Sequence, residues 1–389
     1  MTKKIFVIAG EASGDLHGSN LIKNLKKTAK PPIEIYGVGG DKIRETGALE
    51  FFDLAHFHVT GITEAIKRLP KYQEAGRIIF SRIQKVRPDL VVLIDNPGFN
   101  LHLAQKIHGL GIPIVYYIAP QVWAWAPKRI LKIKRFVKKV IVVFSFEKEI
   151  YENEKIPVVW VGHPLKDLID TNKISEPVWA APSNDGAPLH ICLLPGSRKG
   201  EIKMLFSVML KAAGIISKKF PGAAFHLIKS PTLSKEFYER LIPKNNVKIS
   251  LVEENSYETI RRSDLAIVCS GTATLECALL GTPMIITNKG SFLTYIAAKS
   301  LIRVLYLGLP NLVLQGKKIP EFLQYDATPE KISEEALRIL SDNSLRCSMK
   351  KALKEVSEKL GPPGATERAA QEILAVIASP AKQGEAISP

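Results

Sequence analysis

The chain has 389 residues, 46% of them hydrophobic, and carries 54 Lys and Arg against 38 Asp and Glu, a net charge of +16. That length exceeds one ordinary compact domain and predicts two of roughly 150–200 residues each. The charge favours a negatively charged partner, whether nucleic acid, anionic lipid or a phosphorylated substrate, and since no apolar run approaches the roughly 18–20 residues of a membrane span, any membrane contact must be peripheral.

The apolar run from Ile5 stops at Glu11 and Asp15, so the N-terminus does not read as a signal peptide. Four cysteines, Cys192, Cys269, Cys277 and Cys347, are scattered without a C-x-x-C pair. They read as reduced and mostly structural in a cytosolic protein. Strand-like runs follow in order: KKIFVIAG, IEIYGVGG, LVVLIDNPG, PIVYYIAP, VIVVFSFE and VVWVG, then LHICLLPGS, AFHLIKS, VKISLVEE, LAIVCSG and PMIITN. Continuous rather than alternating apolar character implies parallel sheets covered on both faces. Helical patterns between the runs imply βαβ units. The pattern starts twice, at Lys3 and near Leu189. Between the starts, EPVWAAPSNDGAP reads as a surface loop, with the hinge slightly earlier, around Val161 to Asp167. The predicted α/β architecture is two facing Rossmann-like domains, residues 1–163 and 164–379, with an interdomain cleft and a disordered tail at 380–389. The last helices can return to the first domain. Ligands of open α/β sheets bind at the C-terminal ends of the strands, which suggests an enzyme with a nucleotide-type ligand. A periplasmic-type binding protein is the bland alternative, and the missing signal peptide speaks against it.

Motifs fall at the ends of these strands. IAGEASGDLHG (Ile8 to Gly18) reads as a Gly-rich turn, but it is neither a G-x-G-x-x-G fingerprint nor a P-loop. Its Glu11, Ser13 and Asp15 suit sugar hydroxyls better than phosphate. FHVTGITEAIKRLPKYQ (Phe57 to Gln73) repeats apolar residues every three or four positions among Lys67, Arg68 and Lys71, as an ordinary packed helix or an interfacial one would. LIDNPGFN (Leu93 to Asn100) puts Asp95 at the end of a buried strand, where burial can fit a carboxylate for general base work. An Asx turn before Pro97 is the structural alternative. PQVWAWAPKRI (Pro120 to Ile130) carries two tryptophans, core by default. The basic run Lys128 to Lys139 then reads as a solvated helix face or an attraction to anionic lipid or phosphate.

LLPGSRKGE (Leu193 to Glu201) is a strand, a Gly turn and a helix start. Gly196, Ser197 and the helix amides can meet a diphosphate, with Arg198 as a fork of donors; a capped helix with a solvated Arg is the plain reading. CSGTATLECALLGTP (Cys269 to Pro283) is a second such junction. Ser270, Gly271, Thr272 and Thr274 suit phosphate or ribose, and Glu276, placed in the first helical turn, suits either the helix dipole or ribose hydroxyls. No D-x-D triplet and no His/Cys cluster with ligand spacing occurs, so no metal or cofactor is expected. No RNA-binding string or zinc finger supports a nucleic-acid partner.

Together GEASGDLHG, the Phe57 to Gln73 segment, LIDNPGFN, APQVWAWAP, VGHPL, LPGSR, SGTATLE and PNLVLQGKKIPEFLQ resemble the lipid-A-disaccharide synthase family, in its order, from Gly10 to Gln324. The resemblance implies a GT-B fold and an inverting, metal-independent glycosyl transfer. UDP-2,3-diacylglucosamine would be the donor and 2,3-diacylglucosamine 1-phosphate (lipid X) the acceptor, giving a β(1→6) disaccharide 1-phosphate and UDP. It also implies a protein peripheral on the cytoplasmic face of a Gram-negative inner membrane and able to form homodimers. By family position Asn311 and Gln315 border the UDP pocket. Many members carry Asp where this chain has Gly98, leaving Asp95 as the candidate base, with Glu11 or Asp15 as substitutes. Another UDP-sugar transferase of this fold, such as the lipid II-forming N-acetylglucosaminyltransferase, is the alternative.

Overall fold

The computed structural model describes all residues except 1, 11, 54–61, 125, 171–173, 175–187, 232, 243–246, 291–304 and 379–389. The chain divides into two units. The first is built from the chain up to Pro164 together with the segment that begins at Gly361; the second is Leu165–Leu360.

The first unit alternates β1 (Lys4–Ala9), α1 (Ala12–Thr28), β2 (Glu34–Gly39), α2 (Asp41–Arg44), β3 (Leu49–Asp53), α3 (Ile62–Val86), β4 (Leu90–Ile94), α4 (Pro97–His108), β5 (Ile114–Tyr117), α5 (Arg129–Phe136), β6 (Lys139–Val142), α6 (Ser145–Asn153) and β7 (Val158–Trp160). Its sheet is wholly parallel, in the order β3-β2-β1-β4-β5-β6-β7. Ile5 to Ala9 and Leu90 to Ile94 lie at the centre with no exposure, which is why both read as unbroken apolar runs.

The second unit holds α7 (Leu165–Leu168), β8 (His190–Leu194), α8 (Lys199–Lys219), β9 (Ala224–Ile228), α9 (Lys235–Glu239), β10 (Ile249–Val252), α10 (Ser256–Arg262), β11 (Leu265–Cys269), α11 (Thr272–Leu280), β12 (Met284–Asn288), α12 (Leu309–Leu314), β13 (Glu321–Leu323), α13 (Pro329–Ser341) and α14 (Asn343–Lys359). Its sheet, also parallel, runs β10-β9-β8-β11-β12-β13. The last helix, α15 (Ala365–Ala378), returns to the first unit and packs on α1. Arg368 fastens it there by donating from Nε and Nη2 to the Val161 carbonyl at 2.9 and 2.7 Å, and Glu372 pairs with Lys139.

All eleven expected strands are present. The two that sequence patterning did not single out, β3 and β13, are edge strands of five and three residues with three and two apolar positions, too short for a periodic signal. The glycine string after β1 is also different from the expected turn, because α1 begins at Ala12 and takes up Ser13, Asp15 and Gly18. A Cβ on Gly18 would fall 2.8 Å from Ile43 Cδ1 and 3.3 Å from Ile94 Cδ1, so glycine there permits close seating of the helix and outweighs its poor helix propensity. The Glu176 to Pro188 loop lies almost wholly, and the tail at 380–389 wholly, outside the described residues.

Candidate functional site

Each sheet has one point where connections leave in opposite directions: between β1 and β4 in the first, between β8 and β11 in the second. Such switch points open a crevice at the C-terminal strand ends. The predicted site residues Asp95, Gly196, Arg198, Ser270 and Gly271 all lie just after these strand ends, as does Gly10 after β1.

At the first switch point, β4 ends in two consecutive residues in the left-handed region, Asp95 (φ 49°) and Asn96 (φ 42°), neither a glycine. Each such conformation costs on the order of 1–3 kcal/mol and persists only when the surroundings impose it. Here the imposing groups are identifiable. The Tyr116 hydroxyl donates to the Asp95 carbonyl at 2.6 Å, and Asn100 Nδ2 donates to the carbonyls of Ile94 and Asp95 at 3.0 and 2.7 Å. Burial, then the neighbouring Asp95 charge, raises the Tyr116 phenol well above its ordinary value, so it stays a donor. Asn96 folds back towards the end of β1: a Cβ on Gly10 would lie 2.1 Å from Asn96 Nδ2, so any side chain at position 10 would have to displace Asn96. Asp95 itself is half-buried. Pro97 then supplies the first residue of α4, its fixed φ suiting that position.

The other candidate bases fare differently. Glu11 lies outside the described residues. Asp15 is buried and caps α2, accepting from the amides of Gly40, Lys42 and Ile43 at 2.7, 3.0 and 3.1 Å. Its carboxylate is thus consumed by structure, a correction to the expectation that it could substitute as a base. Gly98 is exposed in the first turn of α4, and a Cβ there would meet nothing within 4 Å.

At the second switch point the geometry comes from glycine. Gly196 (φ 111°) turns the chain from β8 into α8, and a Cβ there would sit 3.0 Å from Glu201 Oε2 and 3.4 Å from Cys269 Sγ. Ser197 follows, and Arg198 is the N-cap residue of α8. Its side chain is 42% exposed, and its guanidinium donates to Glu201 Oε1 at 3.0 Å, so it is aimed but not buried. Gly271 (φ 147°) performs the same turn before α11. The hydroxyls expected to face a ligand are turned to the chain: Ser270 Oγ donates to the Leu307 carbonyl at 2.8 Å and Thr274 Oγ1 to the Gly271 carbonyl at 2.7 Å. What this junction presents is chiefly the first turn of α11 around Thr272, with its helix-terminal amides.

Glu276 corrects a second expectation. α11 starts at Thr272, so Glu276 stands in its second turn and the helix dipole does not account for it. Burial raises its carboxyl to about 7, and the Tyr257 hydroxyl, 3.5 Å away, opposes the shift. Asn311 is wholly buried and its amide is fully committed: it donates to the Ile319 carbonyl and Glu321 Oε1 and accepts from the amides of Lys318 and Ile319. Glu321 in turn accepts from the amides of Leu307 and Gly308, the stretch that receives Ser270. Asn311 therefore braces the wall behind Ser270. Gln315 is the exposed residue that ends α12. Reasoning from sequence missed the bracing roles of Tyr116, Asn100, Glu201 and Glu321; of these Glu201, three residues after Arg198, and Asn100, five after Asp95, were local to their partners. Among the described residues no group of three His, Cys, Asp or Glu could hold a metal ion, and no helix is long and apolar enough to cross a membrane.

Comparison with known proteins converges on this layout. A family model described as lipid-A-disaccharide synthetase matches residues 5–376. The lipid-A-disaccharide synthase of Syntrophus aciditrophicus is 38% identical over 377 residues, covering 97% of this chain and 98% of that protein. Among solved structures, a putative UDP-N-acetylglucosamine 2-epimerase from Listeria monocytogenes superposes with a TM-score of 0.69 at 14% identity, covering 97% of each chain. The calicheamicin glycosyltransferase CalG4 gives 0.62 at 16% identity, covering 98% of this chain and all of its own. At such identities the structures establish the fold, a GT-B arrangement of two parallel-sheet units, and the sequence relatives establish the rest: the chain belongs to the lipid-A-disaccharide synthetase family of glycosyltransferases.

Proposed function

We propose that the chain transfers the sugar of UDP-2,3-diacylglucosamine to the 6-hydroxyl of 2,3-diacylglucosamine 1-phosphate, releasing UDP and forming the β(1→6) disaccharide 1-phosphate with inversion. The observation that carries this reading is the pair of glycine-turned helix starts at the second switch point with Arg198 on one of them. They offer a diphosphate two helix N-termini and a planar cation. Gly196, Ser197 and Arg198 take the diphosphate, the Ser270 to Thr274 turn takes phosphate and ribose, and Glu276 accepts from ribose hydroxyls. In the first unit Asp95 takes the proton of the attacking hydroxyl as the C–O bond to UDP breaks. Donor charge is then met by Arg198 and backbone amides rather than by a metal ion.

UDP release from the two diacylated substrates tests the reading. Turnover should proceed in EDTA and should fail with non-acylated UDP-N-acetylglucosamine. Turnover of the non-acylated donor onto a polyprenyl-linked acceptor would establish the alternative transferase instead.

Lipid substrates require a docked enzyme. The Phe57 to Gln73 segment falls largely outside the described residues: α3 covers it from Ile62, and the side chains of 62–69 are not described. The basic run is described. Seven cations stand among residues 128–139 without one carboxylate, and Leu131 on α5 is 60% exposed between them. Lys134 and Lys139 pair with Glu154 and Glu372; each of the others contributes about 1 kcal/mol near an anionic leaflet, and the exposed leucine adds insertion, which together support reversible docking. Replacing Lys132 and Arg135 by Glu and Leu131 by Ser should abolish sedimentation with anionic vesicles while leaving UDP affinity alone; unchanged sedimentation would remove α5 from the docking surface.

A further inference from the structure

The tryptophan loop after β5 carries a built arrangement with no part in the transfer step itself. Between buried Val122 and Ala124, Trp123 stands half-exposed. Its indole Nε1 donates to Glu147 Oε1 at 3.1 Å. Glu147 is 1% exposed, and its other oxygen accepts from the Phe144 amide at 3.2 Å at the start of α6. The ring meets Phe146 edge-on, with centroids 5.0 Å apart, and Phe146 is stacked on Phe144. Tyr151 fixes the loop itself by donating to the Pro120 carbonyl at 3.0 Å.

A carboxylate is an expensive way to pack a tryptophan. Burial raises the Glu147 carboxyl to about 7, against the stabilising bonds from Trp123 and the backbone. Apolar side chains of similar size would fill the space without that penalty. What the carboxylate adds is orientation: with two oxygens and two donors it fixes both the indole edge and the helix start. The loop follows β5, and β5 pairs with β4, the strand that ends at Asp95. A half-exposed indole locked at its N–H edge, on the loop that leaves the strand next to β4, presents a fixed aromatic face. The negative face of an aromatic ring attracts the weakly positive C–H groups on one side of a pyranose.

We propose that Trp123 is a binding platform for the pyranose ring of the acceptor glycolipid and that Glu147 is its positioning residue. The identity of the acceptor rests on the function proposed above; the platform itself does not need turnover to be tested.

Two measurements separate the two. Wild-type turnover of the diacylated substrates reports on the proposed function. For the platform, the probe is 2,3-diacylglucosamine 1-phosphate in detergent without donor, with phosphatidic acid of the same chain length as the control that keeps phosphate and acyl chains but lacks the sugar. The difference in emission between wild type and Trp123→Phe isolates this ring from the chain's three other tryptophans. It should respond to the glycolipid and not to phosphatidic acid. In steady state, Trp123→Ala should raise the acceptor KM at least tenfold with kcat within about threefold and UDP affinity unchanged. Glu147→Gln, which can satisfy only one of the two donors, should move KM the same way by a smaller factor. If Trp123→Ala does not fold, the emission test and Trp123→Phe, which keeps a ring face and should retain most of the acceptor affinity, decide the matter. An emission change equal with phosphatidic acid, or an acceptor KM unmoved in both Trp123→Ala and Glu147→Gln, would overturn the platform.

Discussion

The two switch points occupy the same place in the same kind of sheet and are built in opposite ways. In the second unit the turns are local: Gly196 and Gly271 supply φ values of 111° and 147° that other residues rarely adopt, and the helices start within three residues of them. In the first unit the turn at Asp95 and Asn96 uses two consecutive non-glycine residues at φ near 45°, of the two types that tolerate it best, and the side chains of Tyr116 and Asn100 hold it in place. The chemistry divides the same way. Helix amides and a cation gather where a leaving diphosphate would be held, and a constrained carboxylate stands where a proton would be taken. A binding turn can be made of glycine because it needs close backbone approach; a base needs a side chain, so its backbone has to be held by other means.

Removing the proposed base should have the largest effect. Asp95→Asn keeps shape and hydrogen bonding but not basicity, so turnover should fall by about 10²–10⁴-fold with normal UDP binding and circular dichroism. Because position 98 is open, Gly98→Asp can be added to it without a clash. The double variant should stay inactive; recovery would place the base on α4 instead of at the strand end.

Arg198→Ala comes next, with an expected loss of about 10²–10³-fold in kcat, the size of one lost transition-state donor. Glu201→Gln sharpens the point. It removes the charge that Arg198 Nη1 meets at 3.0 Å, and UDP affinity should change by less than a factor of about five. A loss in Glu201→Gln equal to that in Arg198→Ala would show that the pair acts as a unit.

Tyr116→Phe tests whether the first elbow is held from outside. The variant removes one donor from the Asp95 carbonyl and should cost about 1 kcal/mol of stability, read from a denaturant midpoint. If the brace also aims the base, kcat should drop about tenfold with KM unchanged, a 1.4 kcal/mol effect. Stability loss with full kcat would confine Tyr116 to folding.

These differences explain what the sequence made legible. The central strands were readable because each is an apolar run buried on both faces. The second switch point was readable because its geometry is encoded where it occurs, in Gly196 and Gly271. The first was readable only as far as Asp95. Tyr116 and Asn100 belong to β5 and α4, and nothing local marks a buried tyrosine as a brace. Asp15 misled for the same reason in reverse: an acid in a glycine-rich string suggests chemistry, while its partners, the amides of α2, are 25 or more residues away. Glu276 was misplaced by one helical turn, because a Gly-Thr boundary does not fix where α11 begins.

The smallest expected effect concerns Glu276 and follows from its raised carboxyl. In the free protein this group ionises near pH 7 rather than near the usual 4.5. The native state therefore holds a proton that the unfolded chain has released between those values, so this group's contribution to stability falls as pH rises through that window and stays lost above it. Glu276→Gln should accordingly raise the melting temperature at pH 8 and leave it nearly unchanged at pH 5. Binding has the opposite sign. Ribose hydroxyls are donors, and the ionised carboxylate is their better acceptor, so UDP affinity should weaken by about tenfold from pH 8 to pH 6 as Glu276 takes up its proton. The variant should bind UDP weakly and with a flat profile across that range. Calorimetric titration of UDP at both pH values reads this directly. A wild-type profile as flat as that of Glu276→Gln would leave Glu276 as a buried partner of Tyr257 with no part in holding the nucleotide.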